Sequence, residues 1–85
     1  MPPAPKVYVL TTFRSSMEVV TPDYRVHGVH SHREKAMAAA EGAARRVIGE
    51  VTEFPPSVEK LSNGYRAWAE FWTVIATVQE FDLTA

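Results

Sequence analysis

Gly28-Val29-His30-Ser31-His32-Arg33-Glu34-Lys35-Ala36, running on to Gly49, is the stretch whose reading decides the fold. It predicts where a strand ends, where a helix begins and which helix face is buried. Ser31 and Glu34 form an S-x-x-E capping box, in which the serine hydroxyl accepts from a first-turn amide and the carboxylate accepts from the serine amide. Apolar residues then recur at Ala36, Met37, Ala40, Ala43, Ala44, Val47 and Ile48, the spacing of one helix face. Gly49 stands where a left-handed residue closes a helix. The predicted helix therefore runs from His32 to Ile48. Its stripe is mostly alanine, which lets a helix lie close to a sheet while burying little area. Gly42, inside it, costs about 1 kcal/mol of propensity relative to alanine and suits close packing or a bend.

On the N-terminal side, Tyr24 to His30 reads as a strand in which Val26 and Val29 fall out of alternation around Gly28. A glycine there predicts a bulge. Lys6 to Phe13 reads as an earlier strand, rich in β-branched and aromatic residues and apolar on both faces, hence central. The connection Arg14 to Asp23 has weak strand character at Met17 to Thr21, and Thr21-Pro22-Asp23 signals a turn. Residues 1–5, Met-Pro-Pro-Ala-Pro, form a loose lead.

On the C-terminal side, Glu50 to Phe54 reads as a short third strand stopped by Pro55-Pro56. Ser57 to Ser62 reads as a single helical turn and Asn63-Gly64 as a tight turn. Tyr65 to Leu83 reads as one long strand with Phe71, Thr73, Ile75, Thr77, Gln79 and Phe81 on one side and Trp72, Val74, Ala76 and Val78 on the other. The expected fold is α+β: a single domain over 1–85, ββαββ-like, with an antiparallel sheet of about four strands and one helix packed on one face.

Composition narrows the function. A chain of 85 residues buries roughly 60% of the surface its unfolded form exposes, so its core is thin and a dimer interface would help. There is no cysteine, which excludes disulfides and thiolate metal sites. The N-terminus lacks the basic and apolar regions of a signal peptide, and no apolar run has the length of a membrane span. The expected location is the cytoplasm. The net charge of −1 conceals opposite ends. Residues 1–49 hold seven basic against four acidic side chains, and residues 50–85 hold two against six. Such a chain pairs with itself or with a charged partner, or solvates both sets.

With the helix on one face of the sheet, the other is left to short loops. Tyr8, Leu10, Tyr65, Trp68 and Trp72 are expected to lie there, and an exposed apolar patch marks an interaction site.

The segments Val7-Tyr8-Val9-Leu10, Gly28 to Ala36, and Val78-Gln79-Glu80-Phe81-Asp82-Leu83 resemble small phage and prophage accessory proteins, in which a "GVxS" strand enters an "xxEKA" helix and a late strand ends in an aromatic-acidic pattern. The resemblance covers most of the chain, excepting Thr52 to Trp68, and its motifs are structural rather than catalytic. It implies an accessory protein that binds a host protein, as inhibitors of bacterial immunity, anti-CRISPR proteins among them, do.

Three constellations bear on chemistry. His27, His30 and His32 are imidazole ligands for zinc, copper or nickel, but on a regular strand His27 and His30 point to opposite faces, and only a bulge at Gly28 unites them. Arg45 and Arg46, with Arg33 and Lys35, suit phosphate if Tyr8, Tyr65, Trp68 and Trp72 supply base stacking; the acidic second half and pI near 6.3 oppose that. Glu70, Glu80 and Asp82 lack a nucleophile or base to complete a site and read as a solvated strand edge. No nucleophile elbow or phosphate-binding glycine loop is present. The expectation is therefore a non-enzymatic protein-binding module without a cofactor or membrane contact, with a homodimer as one form it can take. It binds its partner through Tyr8, Trp68, Trp72, Arg45 and Arg46. A nucleic-acid binder and a histidine metal site are the alternatives.

Overall fold

The computed structural model describes residues 5–18 and 22–83. Strands β1 (Lys6–Ser16) and β2 (Asp23–His30) precede helix α1 (Arg33–Gly49), and strands β3 (Ser57–Leu61), β4 (Gly64–Ala69) and β5 (Trp72–Asp82) follow it. The five strands form one antiparallel sheet in the order β2-β1-β5-β4-β3. The first and last strands pair along their whole length, Lys6 opposite Asp82 to Ser16 opposite Trp72. That pairing puts the two strands with the most apolar residues at the centre.

The helix presents the stripe that its spacing predicts. Ala36, Met37, Ala40, Ala43, Ala44, Val47 and Ile48 are its buried residues. They lie on β1, β4 and β5 against Leu10, Thr12, Ala67, Val74, Ala76 and Val78, all buried. Small residues in the sheet centre receive small residues of the helix, so the two layers approach closely. The resulting core is shallow: seven of the thirteen buried apolar residues among those described are alanine.

Both helix ends depart from expectation. The N-cap is His32, in an extended conformation (φ −129°, ψ 133°), with no side-chain cap. Ser31 stands one residue too early, so the capping box does not form. Instead the His32 carbonyl accepts from Ala36, and the Arg33 guanidinium donates to the Ser62 carbonyl in the β3–β4 turn. At the other end Gly49 is helical rather than left-handed, and Glu50 is the C-cap in right-handed geometry.

The sheet has five strands rather than about four, for two reasons. The run from Tyr65 to Leu83 folds back at Glu70-Phe71, a hairpin without glycine, proline or asparagine in its loop. Glu70 itself takes the positive φ (54°) that such a tight turn demands. Ser57 to Leu61 is a strand rather than a helical turn, because its backbone pairs with β4 and Val58 packs on the core. The loop there is Ser62-Asn63, one residue earlier than expected, with Gly64 already in β4. Glu50 to Phe54 is an irregular connection, not a strand. The proline-rich lead and the weak strand at Met17 to Thr21 fall largely outside the described residues.

The bulge near Gly28 is present. Thr11 pairs with Val26 and Leu10 with Gly28, leaving His27 as the extra residue, and Gly28 has φ 154°.

Candidate functional site

Alternation along the strands assigns every side chain to one of two faces. Leu10 and Val78 are paired and buried under the helix. Their neighbours in sequence therefore point away from it. On β1 these are Val7, Val9, Thr11 and Phe13; on β5 they are Thr73, Ile75, Thr77, Gln79 and Phe81. On β2 the partners of Phe13, Thr11 and Val9 are Tyr24, Val26 and Val29. None of these side chains is charged. Val26 is 63% exposed, Tyr24 61% and Val29 61%, and Phe13 and Ile75 follow at 42% and 38%.

The charges of the same three strands all sit on the helix side. Lys6, Arg14, Asp23, Arg25, Glu80 and Asp82 have the parity of Leu10 or pair with residues that do. Most are held in ion pairs there. Lys6 meets Glu80 at 3.4 Å, Arg14 meets Asp23 at 3.0 Å and Glu50 at 3.2 Å, and Arg25 meets Asp23 at 2.8 Å and Glu50 at 2.7 Å. Arg14 also donates to the Val47 carbonyl in the last turn of the helix, which accepts from the Glu50 amide as well. Part of the opposition between the chain's basic and acidic halves is thus consumed within one molecule. The Arg25 hydrogen bonds hold the Glu50 carboxyl down at about 2 and lower that of Asp23.

The open face carries charge only toward its β3 edge. Trp68 lies there between the buried Ala67 and Ala69, with the Arg66 guanidinium 4.7 Å from its ring. Arg66 stands opposite Glu59 in the strand register, so the two charges of this rim are of opposite sign.

The sequence-predicted binding residues are divided by this geometry. Trp68 is on the open face. Tyr8, Tyr65 and Trp72 pack against the core on the helix side, and Leu10 is buried within it, so the expectation that they share the open face is corrected. The reason is strand parity: Tyr65 and Trp68 are three residues apart and point to opposite faces, and the turn at Glu70-Phe71 sends Trp72 to the helix side. Trp72 lies 5.7 Å from the Arg14 guanidinium instead. Arg45 and Arg46 are exposed on the last turns of the helix, with Arg45 3.5 Å from Glu41, one turn earlier. They stand on the layer opposite the open face. No surface combines them with Trp68, and the stacking-plus-phosphate arrangement that nucleic acid would need is not assembled.

The histidines are also separated in role. The bulge turns His27 to the helix side, where its Nε2 lies 2.6 Å from Thr12 Oγ1. Burial, helped by the charges of Arg46 and Arg25, pushes its pKa down. His30 pairs with Tyr8 on the strand, and His32 is the exposed helix N-cap. Among the described residues no three His, Asp or Glu side chains come together as a metal site. Glu80 and Asp82 lie on β5, a central strand rather than an edge, and Glu70 is in a turn where it accepts from Thr52. A shallow cleft of about 230 Å³ beside Glu53, Phe54 and Pro55 contains none of the sequence-predicted residues.

The sheet edges are poor docking strands. Edge strand β2 is interrupted by its bulge, and edge strand β3 carries Glu59 and Lys60 in five residues. No helix among the described residues is long and apolar enough to cross a membrane. The residues that distinguish the open face, Val26, Phe13, Ile75 and Phe81, are not among the expected binding residues. Hydrophobicity along the sequence does not single them out, because both sides of β1 and β5 are apolar. No protein-family model matches the chain, and neither a curated protein nor a solved structure is similar to it.

Proposed function

We propose that this protein is a non-enzymatic protein-binding module of the cytoplasm whose contact surface is the open face of its sheet. One observation carries the reading: three adjacent strands, β2, β1 and β5, place apolar and uncharged polar side chains on that face and every charge on the other. A face left to water has no reason to exclude charge so completely, whereas the interior of an interface does. Phe13, Ile75, Val26 and Trp68 replace Tyr8, Trp72, Arg45 and Arg46 as the residues that would dominate binding. An accessory or inhibitory protein of the phage kind would use such a face to occlude a host protein.

The test compares capture from bacterial lysate by the native chain, by Val26→Glu with Ile75→Glu, and by Arg45→Glu. A protein held by the native chain and by Arg45→Glu but lost with the sheet-face substitutions supports the reading. Equal capture by all three forms overturns it.

A further inference from the structure

The open face is large enough, neutral enough and close enough to a starved core that its occupant can be named. We propose that it is closed by a second copy of this chain, sheet against sheet across a two-fold axis; this rests on the reading of the open face as a protein-binding surface.

Size is the first argument. Strands lie about 4.8 Å apart and rise about 3.3 Å per residue, so β2, β1, β5 and β4 present a face of about 550 Å² in projection, more once side-chain relief is counted. Specific interfaces bury roughly 600 to 1,000 Å² on each partner. A four-strand face that meets its own copy falls in that range, about 10 Å from sheet to sheet.

Charge is the second. A two-fold axis brings a surface against itself, so any unbalanced charge on it would meet its like. This face has none on β2, β1 or β5, and its two charges, Arg66 on β4 and Glu59 opposite it in register on β3, are of opposite sign.

The third argument is the core. Seven alanines among thirteen buried apolar residues bury little area, and the helix covers only one face of the sheet. A second apolar layer on Phe13, Ile75 and Val26 supplies burial that a small domain otherwise lacks. A host partner would have to displace this copy.

Sedimentation velocity of the purified chain from about 1 to about 100 µM tests the proposal. The expected species has twice the 9.5 kDa chain mass. Ile75→Glu, near the middle of the face, and Val26→Glu, on the exposed edge strand where folding is least at risk, each raise the dissociation constant at least about 100-fold, since every substitution occurs twice in the dimer. Circular dichroism checks that both remain folded, and Arg45→Glu, on the far side of the helix, leaves the dimer intact. A native chain that stays monomeric at about 100 µM overturns the second copy, while the lysate comparison still judges the protein-binding reading. A dimer that neither substitution weakens places the contact elsewhere and overturns the proposal; unchanged lysate capture when Val26→Glu and Ile75→Glu are combined would separately overturn that reading.

Discussion

Replacing Gly64 by alanine separates backbone propensity from packing, because the two act in opposite directions. Glycine in a strand is unfavourable, and alanine at a compatible site gains roughly 0.5 to 1 kcal/mol by restricting the unfolded chain. Gly64 is the first residue of β4 and is buried beside β5. A Cβ there would overlap the Ala76 carbonyl oxygen, come 2.8 Å from the Ala76 carbonyl carbon and 3.2 Å from the Thr77 Cα. All three obstacles are backbone of a central strand, so no side-chain rotation relieves them. The two strands must part, which also strains the hydrogen bond of 2.7 Å from the Val78 amide to the Asn63 carbonyl. Overpacking of this kind costs about 1 to 3 kcal/mol and a weakened ladder hydrogen bond about 1 more, so after the propensity gain the net loss is about 1 to 3.5 kcal/mol. For a domain of this size that lowers Tm by roughly 4 to 28 °C. Thermal unfolding followed by circular dichroism reads it directly. A Gly64→Ala protein as stable as the native one would refute the close approach of β4 to β5, and with it the placement of Trp68 on the open face.

Gly42 gives the opposite sign. It is exposed in the middle of the helix, and an alanine methyl there would have nothing within 4 Å, so Gly42→Ala should stabilise by about 1 kcal/mol in a urea titration. The ion-pair cluster predicts acid sensitivity. Glu50 at about 2 and the lowered Asp23 titrate below their unfolded values, so their contribution is complete above about pH 4.5 and is lost as pH falls toward 2. Glu50→Gln should therefore flatten the fall of Tm between those limits, and an unchanged acid profile would contradict the pairing with Arg25. The tryptophans offer a local report on the dimer. In Trp72→Phe the remaining Trp68 should shift its emission to the blue as the chain associates, whereas in Trp68→Phe the remaining Trp72, already on the helix side, should not.

Periodicity alone determined the helix and its buried stripe, because seven apolar residues at helical spacing admit one amphipathic solution from Ala36 to Ile48. It also located β1, β2, the bulge at Gly28 and the two-sided apolar character of the last strand. Local signals failed where pairing overrode them. Nothing in Glu70-Phe71 announces a turn, and nothing in Ser57 to Leu61 outweighs its charged residues until β4 lies beside it. The capping box failed because the chain enters the helix one residue late, from a strand whose end is set by pairing to Tyr8. Which sheet face the helix would cover was left to the tertiary structure. Both sides of β1 and β5 are apolar, so hydrophobicity does not choose between them. Packing does: a helix lined with alanine gains contact only where Thr12, Ala67 and Ala76 let it approach, and that choice leaves Phe13, Val26, Ile75 and Trp68 on the other side.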